Sequence, residues 1–192
     1  DGDLDILSGS HIGIFWFENL DGQGVFGPKI IIDDDIWTTK AFIKDIDNDG
    51  FLDVITNNNS NGNIVWFKNL DGVANFGNGN VIAEGISYRD MSIADLDSDG
   101  DLDIAVALSQ DDDIVWFENV DGLGAFGQEQ LVHHFGSPSG ADLYRSIVCE
   151  DIDNDGKVDI VSDYQSNWYM HWFKNLGELR NEINGVLSLD VN

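Results

Sequence analysis

Short apolar segments alternate with polar turns along the chain, and their lengths predict strands rather than helices. Between positions 39 and 84 the pattern predicts four strands, at Thr39–Lys44, Leu52–Thr56, Asn63–Leu70 and Asn80–Glu84. The third strand is apolar on both faces, with Ile64 and Trp66 on one side and Val65 and Phe67 on the other. Such a strand is expected in a sheet that is covered on both sides. For helix, the pattern allows at most a single turn, at Glu178–Ile183.

The same unit occurs four times. Trp-Phe pairs begin at positions 16, 66, 116 and 172, and Phe-Gly pairs begin at 26, 76 and 126. We assign the repeats to residues 1–36, 37–86, 87–135 and 143–192, with a loop insertion rich in Gly, Ser and Pro at 136–142. The first repeat starts at its second strand. The fourth repeat lacks the Phe-Gly pair, and Val186–Val191 is expected to supply its last strand.

Four short strands per repeat, with both sheet faces buried, predict an all-β fold: a β-propeller of four-stranded antiparallel blades. A stacked solenoid is the alternative, but its coils are usually shorter and carry no four-stranded meander. Residues 1–192 are then one propeller domain or a propeller segment with about four blades, the first of them incomplete. We expect a segment of a ring of about six to eight blades, or a ring completed by a second copy, ahead of a closed four-bladed ring.

Composition narrows the function classes. The chain has 192 residues, 42% of them hydrophobic and 11% aromatic, which suits a domain with a core and excludes a disordered acidic tail. Its formal net charge of −27 repels nucleic acid and anionic membranes. No apolar run approaches the ~18 residues of a membrane span. The single cysteine, Cys149, excludes an internal disulfide and is expected to be buried and inert.

Acidic loops recur at one place in each repeat, at residues 45–53, 95–103 and 151–159, with half a loop at Asp1, Asp3 and Asp5. Each complete loop has Asp at positions 1, 3, 5 and 9 and Gly at position 6. Three carboxylates wrap one point, the glycine permits the turn that returns position 9, and position 7 adds its carbonyl. The expected ligands are Asp45, Asp47, Asp49, Phe51 and Asp53; Asp95, Asp97, Asp99, Asp101 and Asp103; and Asp151, Asp153, Asp155, Lys157 and Asp159.

Calcium is the expected ion, because it accepts six to eight oxygen ligands in a flexible shell, whereas magnesium prefers a smaller and more regular one. An EF-hand is excluded, since position 12 is Thr56, Val106 or Ser162 instead of Glu and the flanks are strands. Ordinary acidic turns are the remaining alternative. Three complete copies in register with a structural repeat favour a structural calcium ion in each loop.

The repeats resemble the FG-GAP/VCBS family, which includes the propellers of integrin α-chains. The resemblance rests on the Asp-x-Asp-x-Asp-Gly-x-x-Asp loops, the Phe-Gly pairs and the Trp-Phe-[Glu/Lys]-Asn stretches that end at Asn19, Asn69, Asn119 and Asn175. It covers nearly the whole chain and implies a calcium-binding β-propeller outside the cell, either secreted or on the cell surface. The family includes adhesion modules, lectins and some polysaccharide lyases, so the resemblance leaves the function open.

A second candidate site lies on the face opposite the acidic loops. Aromatic and polar residues there suit the stacking and hydrogen bonding of a sugar: Trp37, Tyr88, Arg89, Tyr144, Arg145 and Trp168. The alternative is that they are ordinary rim residues that pack between blades. His133 and His134 are adjacent on a strand and point to opposite faces, so a shared metal is not expected.

The sequence therefore predicts a module that binds carbohydrate or protein, and not an enzyme. Its expected partners are an extracellular ligand and either a second copy or a larger parent chain. One alternative is a fragment of a polysaccharide lyase that uses Tyr and Arg of the second face. Another is a structural subunit of a surface fibre or coat. Because Tyr-Arg recurs at 88–89 and 144–145, it suits structure or multivalent binding better than one active site.

Overall fold

A computed structural model of the chain describes residues 2–109, 113–134, 144–164, 169–177 and 186–190, with the backbone alone at 144–145, 164, 169 and 186–190. The predicted insertion at 136–142, the predicted turn at Glu178–Ile183, and Asp1 and Trp168 lie outside these residues.

The described residues form four antiparallel sheets, one in each sequence repeat, with the strands of each sheet in chain order. The first sheet has three strands: β1 (Ile6–Ser10), β2 (Gly13–Phe17) and β3 (Ile30–Asp33). The second has β4 (Ala41–Lys44), β5 (Asp53–Asn58), β6 (Asn63–Phe67) and β7 (Asn80–Ala83). The third has β8 (Tyr88–Ala94), β9 (Asp103–Leu108), β10 (Asp113–Phe117) and β11 (Gln130–His134). The fourth has β12 (Tyr144–Glu150), β13 (Asp159–Tyr164), β14 (Tyr169–Phe173) and β15 (Val186–Asp190). The all-β class is thus confirmed.

The predicted strands of the second sheet are present, with shifted ends. β5 extends to Asn58, two residues beyond the prediction, because a polar network of Thr38, Thr56 and Asn57 side chains holds that end. β6 ends at Phe67 rather than Leu70, because Asn69 leaves the ladder and forms an isolated bridge with Phe76. The third strand is buried on both faces, as predicted, from Ile64 to Phe67.

The chain divides into two compact units, Asp1–Ile86 and Ser87–Asn192. In the first unit the core joins the first two sheets through Ile14, Ile36, Val54, Val65 and Phe67. Val65 and Phe67 are alternate positions of β6, and Val54 is paired with Phe67, so one face of the second sheet packs against Ile14 of the first.

In the second unit, one face of the third sheet packs on one face of the fourth. Ala105 and Trp116 lie on the covered face of the third sheet, against Ile147, Ile160 and Phe173 of the fourth. Hydrogen bonds also join the first strands of these sheets: Ile147 N donates to Asp90 Oδ2 (3.2 Å), and Cys149 N donates to Ser92 Oγ (3.2 Å).

The opposite face of the fourth sheet carries exposed apolar side chains, including Val148, Ile152 and Met170. Val161 and Trp172 on this face correspond in the repeat to Ala105 and Trp116, which the fourth sheet covers in the unit. The exposed face of the fourth sheet thus corresponds to the face that the third sheet buries against the fourth.

Cys149 is buried, as predicted, and burial raises the pKa of its thiol to about 12. The thiol is therefore protonated at neutral pH and unreactive. Among the described residues there is no helix with the length and apolar character needed to cross a membrane.

Candidate metal centre

The acidic loops share one backbone conformation. In each, the first Asp accepts the N–H groups of positions 5 and 6; for Asp45 these are Asp49 N at 3.1 Å and Gly50 N at 3.0 Å. Asp95 and Asp151 make the same pair of bonds within their loops. Position 4 takes a positive φ of 55–65°, and Gly at position 6 takes a φ of 88–99°. These left-handed residues make the turn that wraps the loop around one point.

The last Asp of each loop is buried and fixed by backbone donors. Asp53 accepts Asn69 N at 2.7 Å and Ile46 N at 3.2 Å, one on each carboxylate oxygen. Asp103 and Asp159 repeat this arrangement with Asn119, Leu96, Asn175 and Ile152. In the half loop, Asp5 accepts Asn19 N at 2.8 Å. These carboxylates therefore tie each loop to the Asn that follows the Trp-Phe pair.

The side chain of that Asn ties down the next turn as well. Asn69 Nδ2 donates to Leu52 O at 3.2 Å, and Asn69 Oδ1 accepts Gly72 N at 3.0 Å. Three consecutive parts of the repeat are thus held together by one residue: the acidic loop, the end of β6 and the Asp-Gly turn. This explains why the acidic loop, the Asn and the Asp-Gly turn occur together in the sequence.

The loop carboxylates converge. They form three groups, and within each group one carboxylate oxygen per residue lies within 4.8 Å of the other two. The groups are Asp45, Asp47 and Asp53; Asp95, Asp97 and Asp99; and Asp151, Asp153 and Asp159. In the first group, Asp47 is buried and its Oδ1 has no hydrogen-bond partner. A buried, unpaired carboxylate oxygen among others is costly unless a cation neutralises it. The donor set therefore fits a hard dication.

Other predicted ligands do not belong to the three converging groups. Asp49 and Asp155 point to nearby lysines, at 3.0 and 3.2 Å from Nζ. The N–H groups of Phe51, Asp101 and Lys157 donate to the Asp two residues earlier, and coordination by their carbonyls stays a prediction. Asp3 is exposed.

Charge differs among the loops. Lys68 Nζ forms ion pairs with Asp47 and Asp49, and Lys174 Nζ does so with Asp153 and Asp155. The lysines lower the pKa values of Asp49 and Asp155. In the third repeat Glu118 takes the lysine position, and burial with the neighbouring Asp99 and Glu118 raises the pKa of Asp97. Burial raises the pKa of Asp103 to about 7.

The residues predicted on the opposite face lie at the strand ends remote from the acidic loops. Trp37 precedes β4 and is 46% exposed, while Tyr88 and Arg89 begin β8, half-buried and exposed respectively. Tyr144 and Arg145 begin β12. Trp37 and Tyr88 belong to different compact units, so a common site that contains both stays a prediction.

Beside Trp37 lies a cluster of polar side chains that are joined by hydrogen bonds. Asn57 Oδ1 accepts the hydroxyl of Thr38 at 2.7 Å, and Asn57 Nδ2 donates to Thr39 Oγ1 at 3.0 Å. Asn59 Nδ2 donates to the same Thr39 hydroxyl at 3.1 Å. An exposed indole thus adjoins ordered hydroxyl and amide groups.

His133 lies on β11, an edge strand of the third sheet. Its ring is half-buried and packs on Phe173 at 5.2 Å, and His171 contacts the same ring at 6.2 Å. His134 is exposed and pairs with Asp113. The two adjacent histidines do point to different surroundings, as alternation along a strand requires.

A comparison with models of protein families identifies the family of the chain. The model described as FG-GAP-like repeat matches it three times, over residues 1–56, 45–106 and 95–162. The chain belongs to the FG-GAP-like repeat family. Among solved structures, a lectin from Agrocybe aegerita, described as recognising non-reducing terminal N-acetylglucosamine, is similar to this FG-GAP-like chain at 23% identity and a TM-score of 0.67. The match covers 98% of this chain and 49% of the lectin chain, and it shows a shared fold. The comparison with curated proteins found no match.

Within the FG-GAP-like repeat, the variable Glu or Lys after the Trp-Phe pair is a position near the acidic loops to which sequence reasoning assigned no role. The motif contained it, as Glu18, Lys68, Glu118 and Lys174. Its contacts could be seen only in the structure, because the fold brings the ends of β6, β10 and β14 beside the acidic loops.

Proposed function

We propose that this chain is an extracellular, calcium-stabilised β-propeller module that binds carbohydrate. The observation that carries the calcium part is the convergence of loop carboxylates around the buried, unpaired Oδ1 of Asp47. The carbohydrate part is supported by the exposed Trp37 beside its polar cluster and by the lectin of the same fold.

Calcium suits the donor set better than other common ions. The converging groups are carboxylates, which hard cations prefer, and no His or Cys belongs to the three groups in the described residues. The loop offers an irregular oxygen shell, which calcium tolerates, whereas magnesium requires a nearly octahedral one. Extracellular modules bind calcium at roughly 10⁻⁴–10⁻³ M, so exposed loops of this kind match the calcium available outside the cell.

Bound calcium would supply positive charge that cancels repulsion among the loop carboxylates. The protein's own residues shape the loop and attach it to the sheet. Asp45 orders the loop through two backbone N–H bonds, and Asp53 joins it to β6 through Asn69. In the second, third and fourth sheets the loop thereby fixes the connection between the first two strands, and the role of the site is structural.

The sheets are proposed to be consecutive propeller blades. Packing of the third sheet on the fourth gives the blade-on-blade contact, and the exposed apolar face of the fourth sheet is the face that a following blade would cover. A second copy or flanking repeats would provide that blade.

Calcium dependence is tested by thermal unfolding of the metal-free chain with excess chelator and with about millimolar calcium. We expect a higher melting temperature in calcium and a smaller response of the Asp47→Asn variant. Equal melting temperatures of the wild type in both buffers would contradict the proposal.

Carbohydrate binding is tested on a glycan array in the presence of calcium, with wild type, Trp37→Ala and the control Val73→Ala. Val73 is exposed and apolar but lies in the turn between β6 and β7, at the acidic-loop end of the same sheet. We expect bound glycans to be lost only with Trp37→Ala. No binding by wild type would contradict the assignment, and release of unsaturated products from acidic polysaccharides would favour a lyase instead.

A further inference from the structure

The residue directly after each Trp-Phe pair occupies one structural position beside the acidic loop. It follows the last residue of β6, β10 and β14 and precedes the Asn that binds the last loop Asp. The backbone of that Asn is therefore fixed to the loop, which places the preceding side chain within reach of loop positions 3 and 5. The position holds Lys68, Glu118 and Lys174 in the three repeats with complete loops.

In two of the three repeats this side chain is already a cation bound by the loop. Lys68 Nζ contacts Asp47 Oδ2 and lies 3.0 Å from Asp49 Oδ2. Lys174 Nζ contacts Asp153 Oδ2 and lies 3.2 Å from Asp155 Oδ2. Both lysines join positions 3 and 5 of the loop, which are also predicted calcium ligands. An ammonium group here neutralises part of the charge that a divalent ion would neutralise.

The third repeat reverses this charge. Glu118 lies beside the loop, where its Oε2 accepts Gln130 Nε2 at 3.1 Å. Its carboxylate adds to the potential felt by Asp97, and the Asp95, Asp97 and Asp99 oxygens still converge within 4.8 Å. This loop thus has the Glu118 carboxylate where the other two loops have a lysine.

We propose that the residue after the Trp-Phe pair ranks the loops as cation sites. Glu118 makes loop 95–103 the tightest calcium site of the chain. Lys68 and Lys174 weaken loops 45–53 and 151–159 for calcium, because the ammonium must leave positions 3 and 5, and they hold those loops in shape when no divalent ion is bound. The inference rests on the proposed calcium binding and assigns unequal roles to the loops within it.

The test is a calorimetric calcium titration of the metal-free full chain, with wild type and the variants Glu118→Gln, Lys68→Met and Asp97→Asn. Wild type is expected to show one tight ion followed by weaker ones, and Asp97→Asn should remove the tight ion. Glu118→Gln should weaken the tight ion about fivefold or more, and Lys68→Met should tighten one weaker ion by a similar factor, as expected for one charge a few ångströms away. Glu84→Gln is the control, because exposed Glu84 lies at the opposite end of its sheet from the loop and should change nothing.

Thermal unfolding in chelator supplies a readout that needs no calcium. Lys68→Met should lower the melting temperature there, because Asp47 and Asp49 lose their internal cation, whereas Glu118→Gln should raise it. Calcium binding by wild type with constants that Glu118→Gln leaves unchanged would overturn the ranking and leave the proposed function intact. No calcium binding by wild type would overturn both, and an unchanged melting temperature of Lys68→Met in chelator would overturn the role of the lysine.

Discussion

Asn69 and its counterparts determine whether the acidic loops are held in place. The side chain of Asn69 satisfies Leu52 O and Gly72 N, and its backbone satisfies buried Asp53. Polar groups buried in this way are expensive to leave unpaired. The residue therefore links the stability of a sheet to the geometry of its loop, although it belongs to none of the converging carboxylate groups.

Replacement of Asn69 by Ala is expected to lower the free energy of unfolding by about 1–3 kcal/mol, since its three side-chain hydrogen bonds are lost at a buried site. Urea unfolding measures the change. Exposed Asn78→Ala serves as the control and should have an effect below about 0.5 kcal/mol. Equal effects of the two substitutions would show that Asn69 is not a structural link.

His171 gives the second unit a dependence on pH. Burial, with His133 nearby, lowers the pKa of His171 below its ordinary value. In acid the unfolded chain therefore binds a proton that the folded chain does not, so stability falls as the pH drops through about 6.5 and below.

Wild type is expected to lose more stability between about pH 7.5 and 5.5 than His171→Gln does, by up to about 1 kcal/mol. Urea titrations at the two pH values measure the difference, and His11→Gln, at an exposed turn, is the control and should behave like wild type. If His171→Gln followed the wild-type pH profile, a burial-depressed pKa would not be the cause.

At the scale of the element, backbone hydrogen bonds and left-handed residues determine the conformation of the acidic loop. Ser98 occupies a left-handed position with φ 65°, where the other loops have Asn48 and Asn154. Gly100 has φ 99° and open space where a Cβ would be. Substitutions at these positions therefore act through backbone strain rather than through a steric clash.

Gly100→Ala is expected to destabilise the chain by about 1–2 kcal/mol, because an L side chain disfavours this conformation. Ser98→Gly relieves the same kind of strain and is expected to be neutral or stabilising by up to about 1 kcal/mol. Thermal unfolding in chelator measures both without a contribution from bound metal. Stabilisation by Gly100→Ala would contradict the left-handed geometry of the loop.

The strands and loops could be predicted from sequence because their signals are local and repeated. A short apolar run between polar turns located β6, and the repeated Asp and Gly positions located the loops. The lysine contacts could not be predicted, because Lys68 lies 21 residues beyond Asp47 and only the sheet brings them together. The surroundings of His133 depended likewise on packing between two sheets, which periodicity along one strand does not reveal.

At the scale of the whole molecule, we propose that the strongly acidic chain depends on the ions that its loops bind. A net charge of −27 is concentrated partly in three loops whose carboxylates converge at the ends of the sheets. Two loops carry an internal lysine and one does not. When a chelator removes calcium, the lysines should therefore neutralise part of the carboxylate charge in those two loops only. The calcium count of the intact chain tests this account most directly.

Equilibrium dialysis of the full chain against calcium gives that count, with a chelator-treated sample as the zero point. We expect three ions per chain, one for each complete loop, and two for the Asp97→Asn variant. The absence of bound calcium at about millimolar concentration, or an unchanged count in Asp97→Asn, would contradict the assignment of the loops as calcium sites.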